Sequence, residues 1–183
     1  MGNQQIMNIL TIIPAKLDSK RLKNKNIREV KGKPMFLHSV DYANQSKYDV
    51  DILVSTENNK VIDICKNNNV PYIVRSKDLC GDIEVVDVYL DIINKVTTSY
   101  DLVVCLQPDN PNRSHTFDEC VDYMLENNYD DLVTINPEYK RSGSVRIFKY
   151  QYLKKGQVSK RLGCIKDNAT DIHYEQDLNK LIN

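Results

Sequence analysis

Residues 16–33 carry eight basic side chains: Lys16, Lys20, Arg21, Lys23, Lys25, Arg28, Lys31 and Lys33, against only Asp18 and Glu29. The full sequence of 183 residues balances 25 basic against 25 acidic residues, so this is a local excess in a neutral chain. Side chains of this kind neutralise a polyanion through ammonium and guanidinium contacts, and a nucleoside triphosphate is the obvious candidate. A solvated charge run or a nucleic-acid patch is the alternative that the loop alone leaves open. Neither G-x-G-x-x-G nor G-x-x-x-x-G-K-[ST] occurs in this loop. Phosphates would therefore be held by side chains rather than by a nest of backbone amides, which sets aside the dinucleotide-binding and P-loop classes. The second residue placed for chemistry is Asp109, in a proline-flanked loop directly after the apolar run LVVCL.

The cationic loop follows an apolar run at residues 8–13, and such runs recur with helical spacing between them. Strands are expected at 8–13, 51–55, 72–74, 102–106 and 132–135, and helices at 34–46, 61–67, 82–96 and 116–127. Residues 102–106 form the most continuous apolar run and read as a central strand. The alternation predicts an α/β fold, a mostly parallel, doubly wound sheet covered on both faces. Ligands of such sheets bind at the carboxyl ends of the strands, where both the cationic loop and Asp109 fall. Beyond residue 136 the pattern turns irregular, with a candidate strand at 144–148 and a closing helix at 175–182. The length suits a single domain over residues 1–183, with 137–183 as a substrate-side closing segment.

Composition excludes several classes. Hydrophobic content of 41% and charged content of 27% fit a water-exposed globular domain, and no stretch approaches the roughly 20 apolar residues of a membrane helix. The N-terminus has no signal-peptide pattern, and Ile6 stands where a myristoylation start needs Ser or Thr. The five cysteines, Cys65, Cys80, Cys105, Cys120 and Cys164, form no C-x-x-C pair. They read as buried free thiols of a reducing, cytoplasmic protein. His38 and His115 read as structural, and the basic tail residues Lys140, Arg141, Arg146, Lys154, Lys155, Lys160 and Arg161 as a solvated face or a carboxylate-binding patch.

IIPAKLDSKRLKNKNI at 12–27, then GKP at 32–34, resembles the N-terminal signature of the sugar-acid cytidylyltransferases, the CMP-N-acylneuraminate and CMP-Kdo synthetases. VSTEN (54–58), RSKDLCGD (75–82), LQPDNPNR (106–113) and TDIHYEQDL (170–178) also resemble that family, in order. The resemblance implies a Rossmann-like nucleotidyltransferase sheet and CMP transfer from CTP to a sialic acid- or Kdo-like acceptor. It places Lys16, Lys20, Arg21 and Lys25 on the triphosphate, with Ala15, Ser19 and Asn26 also at the nucleotide. It puts Arg75 near the cytosine, Gln107 facing the sugar acid, and Asp109 on Mg²⁺ (or Mn²⁺). Lys16, Arg21, Lys25 and Asp109 are the residues that would carry catalysis. In the closing motif Asp171 matches the first aspartate and His173 replaces the second, making Asp109, Asp171 and His173 the metal candidates. An Asp before a terminal helix is also a natural N-cap, so Asp171 has two readings. Expected partners are CTP and a small sugar acid, with no nucleic acid and no membrane; a homodimer stays open. Another acceptor (a sugar 1-phosphate or phosphonate) or a non-catalytic nucleotide-binding relative are the rival readings.

Overall fold

The computed structural model describes residues 7–81, 83–156 and 159–182. Asp82, the expected first residue of a helix, lies outside them, as does the N-terminal stretch read for targeting signals. In chain order the elements are β1 (Asn8–Pro14), the short hairpin β2 (Glu29–Val30) and β3 (Lys33–Pro34), α1 (Met35–Asn44), β4 (Asp49–Thr56), α2 (Asn59–Asn67) and β5 (Tyr72–Val74). There follow α3 (Val85–Lys95), β6 (Leu102–Leu106), α4 (Phe117–Glu126), β7 (Asp131–Ile135), β8 (Arg141–Lys149), α5 (Tyr150–Lys154), β9 (Leu162–Lys166) and α6 (Glu175–Ile182). The large sheet has seven strands in the order β5-β4-β1-β6-β8-β7-β9.

Alternation along the central strands decides which helix packs where. Ile9 and Ile13 of β1, with Leu102, Val104 and Leu106 of β6, face α1, α2 and α4. Leu10 and Ile12, with Val103 and Cys105, face α3 and α5. Every residue of β6 is buried, as a strand covered on both sides must be. Local chemistry sets the helix starts. Asn58 caps α2 by accepting from the Lys60 amide at 2.9 Å, and Thr116 and Glu119 form a reciprocal capping box at α4.

The expected doubly wound, mostly parallel sheet is present with one reversal. β8 runs antiparallel to both β6 and β7 and lies between them. Asn136 closes the β7–β8 turn by accepting the Lys140 amide at 2.8 Å, with Tyr139 at φ 62°. The crossover through α4 therefore skips one strand position, which the returning hairpin strand fills. The irregular tail holds more structure than its pattern suggests, since β9 pairs parallel with β7 at the sheet edge.

Two of the tail cations, Arg146 and Arg161, are committed to structure. Asp130 is fully buried and accepts from Arg161 at 2.8 and 2.9 Å and from Ser159 at 2.8 Å, with Lys149 at 2.9 Å. Arg146 pairs with Asp131 at 2.9 Å and lies over the Phe148 ring. Asp131 begins β7 and Asp130 directly precedes it, at the end of the sheet opposite the carboxyl ends of the parallel strands, so these two arginines are not a carboxylate-binding patch there. Cys65, Cys105 and Cys120 are buried free thiols as expected, but Cys80 is half-buried and Cys164, on the outer strand, is exposed. His38 and His115 donate to backbone carbonyls of Val30 and Lys166 at 2.8 and 2.7 Å, in line with structural roles.

Candidate active site

After β1 the chain moves one way, to β4 and β5, and then returns through α3 to β6 on the other side of β1. The loops leaving β1 and β6 consequently diverge and open a crevice at the topological switch point. A cleft of about 490 Å³ occupies it. Ser19, Lys20, Arg21, Lys25 and Asn26 line its first-loop side, and Gln107, Pro108 and Asp109 line the side after β6.

Two features fix the cationic loop. Asn24 takes a left-handed φ of 56°, a conformation asparagine tolerates, and lets the chain turn into the short 3-10 helix that carries Lys25 and Asn26. Leu22 and Val30 pin the loop from below by packing with Ile172 and Leu178 of the C-terminal segment. Arg28 adds an ion pair to Glu175. The apolar side of the loop is thereby held, while Lys20 and Arg21 stay exposed. Asn26, only 4% exposed, donates to the Lys16 carbonyl at 2.7 Å. Its side-chain oxygen is buried with no hydrogen-bond partner among the described residues. Lys16 itself reaches across the cleft to the Gly81 carbonyl at 2.8 Å, with Asp18 at 3.5 Å. Ala15 is core, fully buried, with its amide donating to Ser55 at 2.9 Å. It does not line the cleft, so the expected place for it at the nucleotide is not seen.

Arg75 is 6% exposed and lines the cleft, its guanidinium donating to the Ser55 carbonyl at 3.0 Å and hydroxyl at 3.3 Å. Glu57 stands 4.0 Å away. Ile83, Val85 and Val88 supply an apolar wall. Gln107 donates to the Tyr89 hydroxyl at 3.4 Å, and burial pushes that phenol well above its ordinary pKa, so it stays neutral. Gly143 of β8, at φ 76°, passes beside Gln107, and an added Cβ would stand 3.4 Å from its Cγ.

Asp109, Asp171 and His173 come together, and the backbone explains how. The Ile172 amide donates to the Asp109 carbonyl at 3.0 Å, and the Ile172 side chain is fully buried. Its two neighbours, Asp171 and His173, are thereby brought to Asp109. One donor atom from each of the three residues lies within 4.8 Å of the others. His173 Nε2 is 2.8 Å from Asp171 Oδ2, and His173 Nδ1 is buried without a partner among the described residues. Two carboxylates and an imidazole fit a divalent cation, with the imidazole favouring a borderline ion over Mg²⁺. Partial burial, then Asp109, hold the Asp171 carboxyl above its usual range, while His173, Lys25 and Arg21 pull it down. The capping alternative for Asp171 fails. Asp177 caps α6 instead, accepting from His173 and Tyr174 amides at 3.1 and 3.0 Å.

The sequence did not single out the residues that align the two loops. Asp167, 2% exposed, accepts from the Ser114 amide and hydroxyl at 2.9 and 2.6 Å and from Ser144. Its hydrogen bonds outweigh burial and keep it below the usual carboxylate range. Asn112 accepts from the Thr170 amide at 2.9 Å. Arg113 donates to the Gln107 carbonyl at 2.7 Å and lies over the Tyr42 ring. Asn112, Arg113 and Thr170 fall inside the motifs at 106–113 and 170–178, which marked the loops but not these partnerships, and Asp167 lies outside both.

A cytidylyltransferase family model matches residues 10–176. The chain belongs to this family. It is 37% identical over 113 residues to the CMP-N,N'-diacetyllegionaminic acid synthase of Legionella pneumophila, covering 58% of the chain and 48% of that relative. It is 30% identical over 141 residues to the N-acylneuraminate cytidylyltransferase of Streptococcus agalactiae, covering 75% of the chain and 34% of that relative. The chain thus spans half or less of these relatives' length. A solved CMP-2-keto-3-deoxy-manno-octonic acid synthetase complexed with CTP shares the fold, with a TM-score of 0.76 at 15% identity over 94% of this chain and 96% of that one. Among the described residues no helix is long and apolar enough to cross a membrane.

Proposed function

We propose that the chain is a single nucleotidyltransferase domain that transfers CMP from CTP to a sugar acid of the sialic acid or Kdo type. The observation that carries this is the cationic loop folded over the switch-point crevice, directly opposite Asp109 and Asp171. The anomeric hydroxyl oxygen attacks the α-phosphorus in line and gives up its proton to solvent water. The bond from the α-phosphorus to the α–β bridging oxygen breaks, and pyrophosphate leaves. Little covalent chemistry falls to the protein, so positioning and charge neutralisation supply the rate. Lys16, Lys20, Arg21 and Lys25 neutralise the triphosphate and the departing pyrophosphate, with Ser19 and Asn26 beside them. Arg75 reads the cytosine edge from its buried seat, and Gln107, braced by Tyr89, faces the acceptor. Asp109, Asp171 and His173 would hold a divalent cation, Mn²⁺ or Mg²⁺, which when bound offsets charge at the α-phosphate and acidifies the attacking hydroxyl.

Pyrophosphate release measured with each of the four nucleoside triphosphates, across a panel of sugar acids with and without Mg²⁺ or Mn²⁺, tests this reading. Release with CTP alone, dependent on a sugar acid and abolished in Asp109→Asn, is the expected result. Release with a sugar 1-phosphate or phosphonate instead would keep the chemistry and change the acceptor. Nucleotide binding with no turnover would overturn it.

A further inference from the structure

Asp109 is paired with a cation of the chain itself. Lys25 Nζ is paired with its Oδ2, and the two side chains are only 11% and 14% exposed. Among the described residues this ion pair bridges the two walls of the cleft, from the 3-10 helix of the first loop to the loop after β6. An ammonium paired with Asp109 repels a divalent ion on the same carboxylate and weakens that carboxylate's hold on it. We infer that Lys25 is an internal counter-ion that keeps Asp109 occupied until a triphosphate draws it away, so that the divalent-ion site opens as nucleotide enters. This rests on Asp109 being a metal ligand, as proposed above.

The arrangement around the pair favours such a hand-over. Lys20 and Arg21 lie on the same side of the cleft as Lys25, so a triphosphate seated on them brings competing anionic oxygens to Nζ. Asp109 stays fixed while Lys25 moves, because its backbone carbonyl is tied to Ile172 at 3.0 Å. An exchange of partners then needs a lysine side-chain rotation and no movement of the sheet. It also keeps a stray cation from settling in the site before nucleotide arrives.

The test is Mn²⁺ binding to the protein without nucleotide, read from the free-ion paramagnetic resonance signal. The folded state of each variant is checked by circular dichroism. Lys25→Met, of similar reach and no charge, is expected to bind Mn²⁺ about tenfold or more tightly than the wild type. Lys16→Met removes a charge from the same cleft without touching Asp109 and is expected to change affinity about twofold at most. Adding Asp109→Asn to Lys25→Met should abolish the gain. Lys25→Gln serves if Lys25→Met does not fold. Equal affinity in wild type and Lys25→Met, with Asp109→Asn weakening both, overturns the counter-ion role and leaves the metal reading standing. A gain that survives Asp109→Asn, or a similar gain in Lys16→Met, also overturns it. Absence of any Asp109-dependent Mn²⁺ binding, in wild type and Lys25 variants alike, removes the metal reading itself.

Discussion

At the scale of single residues, the site is defined by how its charges are partnered. Lys25 and Asp109 neutralise each other, Asp171 leans on His173, and Arg75 is held by Ser55. The imidazole is the most individual of these groups, and it makes a prediction. His173→Asp should shift metal preference toward Mg²⁺, raising Mg²⁺-supported relative to Mn²⁺-supported turnover about tenfold or more, because an oxygen donor suits the harder ion. Isothermal titration with each ion checks the same shift in binding. An unchanged ratio in both measurements would take His173 out of the coordination set. The cationic run and Asp109 were legible in the sequence because charge density and a proline-flanked loop are local signals. The partnering was not. Which acid Lys25 meets depends on a loop 84 residues away, and nothing local to either residue encodes it.

At the scale of elements, the first loop and the C-terminal segment form one unit. Leu22, Val30, Met35, Ile172 and Leu178 make a small apolar cluster separate from the two main cores. It seats the loop's cations above the cleft and sets Asp171 and His173 against Asp109. Leu178→Ala should therefore cost about 2–4 kcal/mol if the cluster behaves as core. It should also raise the KM for CTP, although Leu178 lines no part of the cleft. Thermal melting together with CTP titration checks this; a melting shift with nucleotide affinity intact would separate the cluster from the site. α1 to α4, α6 and the inner strands were readable from periodicity and from the continuous apolar runs of β1 and β6, whereas α5, of five residues, is too short to show a period. β9 was missed because it lies at the sheet edge, with Leu162, Cys164 and Lys166 exposed, and carries no continuous apolar run. The β2–β3 hairpin was hidden for a different reason. Lys31 and Gly32 both take positive φ at its tip, but they sit in a run that reads as charge rather than as a turn.

At the scale of the whole molecule, the sheet has a reactive end and a bracing end. The carboxyl ends of β1 and β6 open into the crevice, while at the other end buried Asp130 gathers Arg161, Lys149 and Ser159. Burial alone would raise the Asp130 pKa, but these partners win and hold it far below the carboxylate range. The sign of the pH effect follows. A folded pKa below the unfolded value of about 4 gives stability that is present above that value and lost as pH falls through and below it. Asp130→Asn should lower the melting temperature at pH 7 and flatten its decline between about pH 5 and pH 2 relative to wild type. Parallel curves for the two proteins would show that the brace does not act through ionisation. The order of strands was only partly legible, because the inserted antiparallel β8 is fixed by pairing with strands on both sides rather than by its own pattern.

A crevice that transfers a cytidylyl group, rather than merely holding a nucleotide, must move the α-phosphate of CTP onto an acceptor. Incubation with CTP labelled at the α-phosphate, a sugar acid and Mn²⁺, followed by separation of the products, tests it most directly. Label should appear in a CMP-sugar, one equivalent for each pyrophosphate released, and none should appear when Asp109 is replaced by Asn. Label that remains in CTP bound to the protein, or appears only as free CMP, would contradict it.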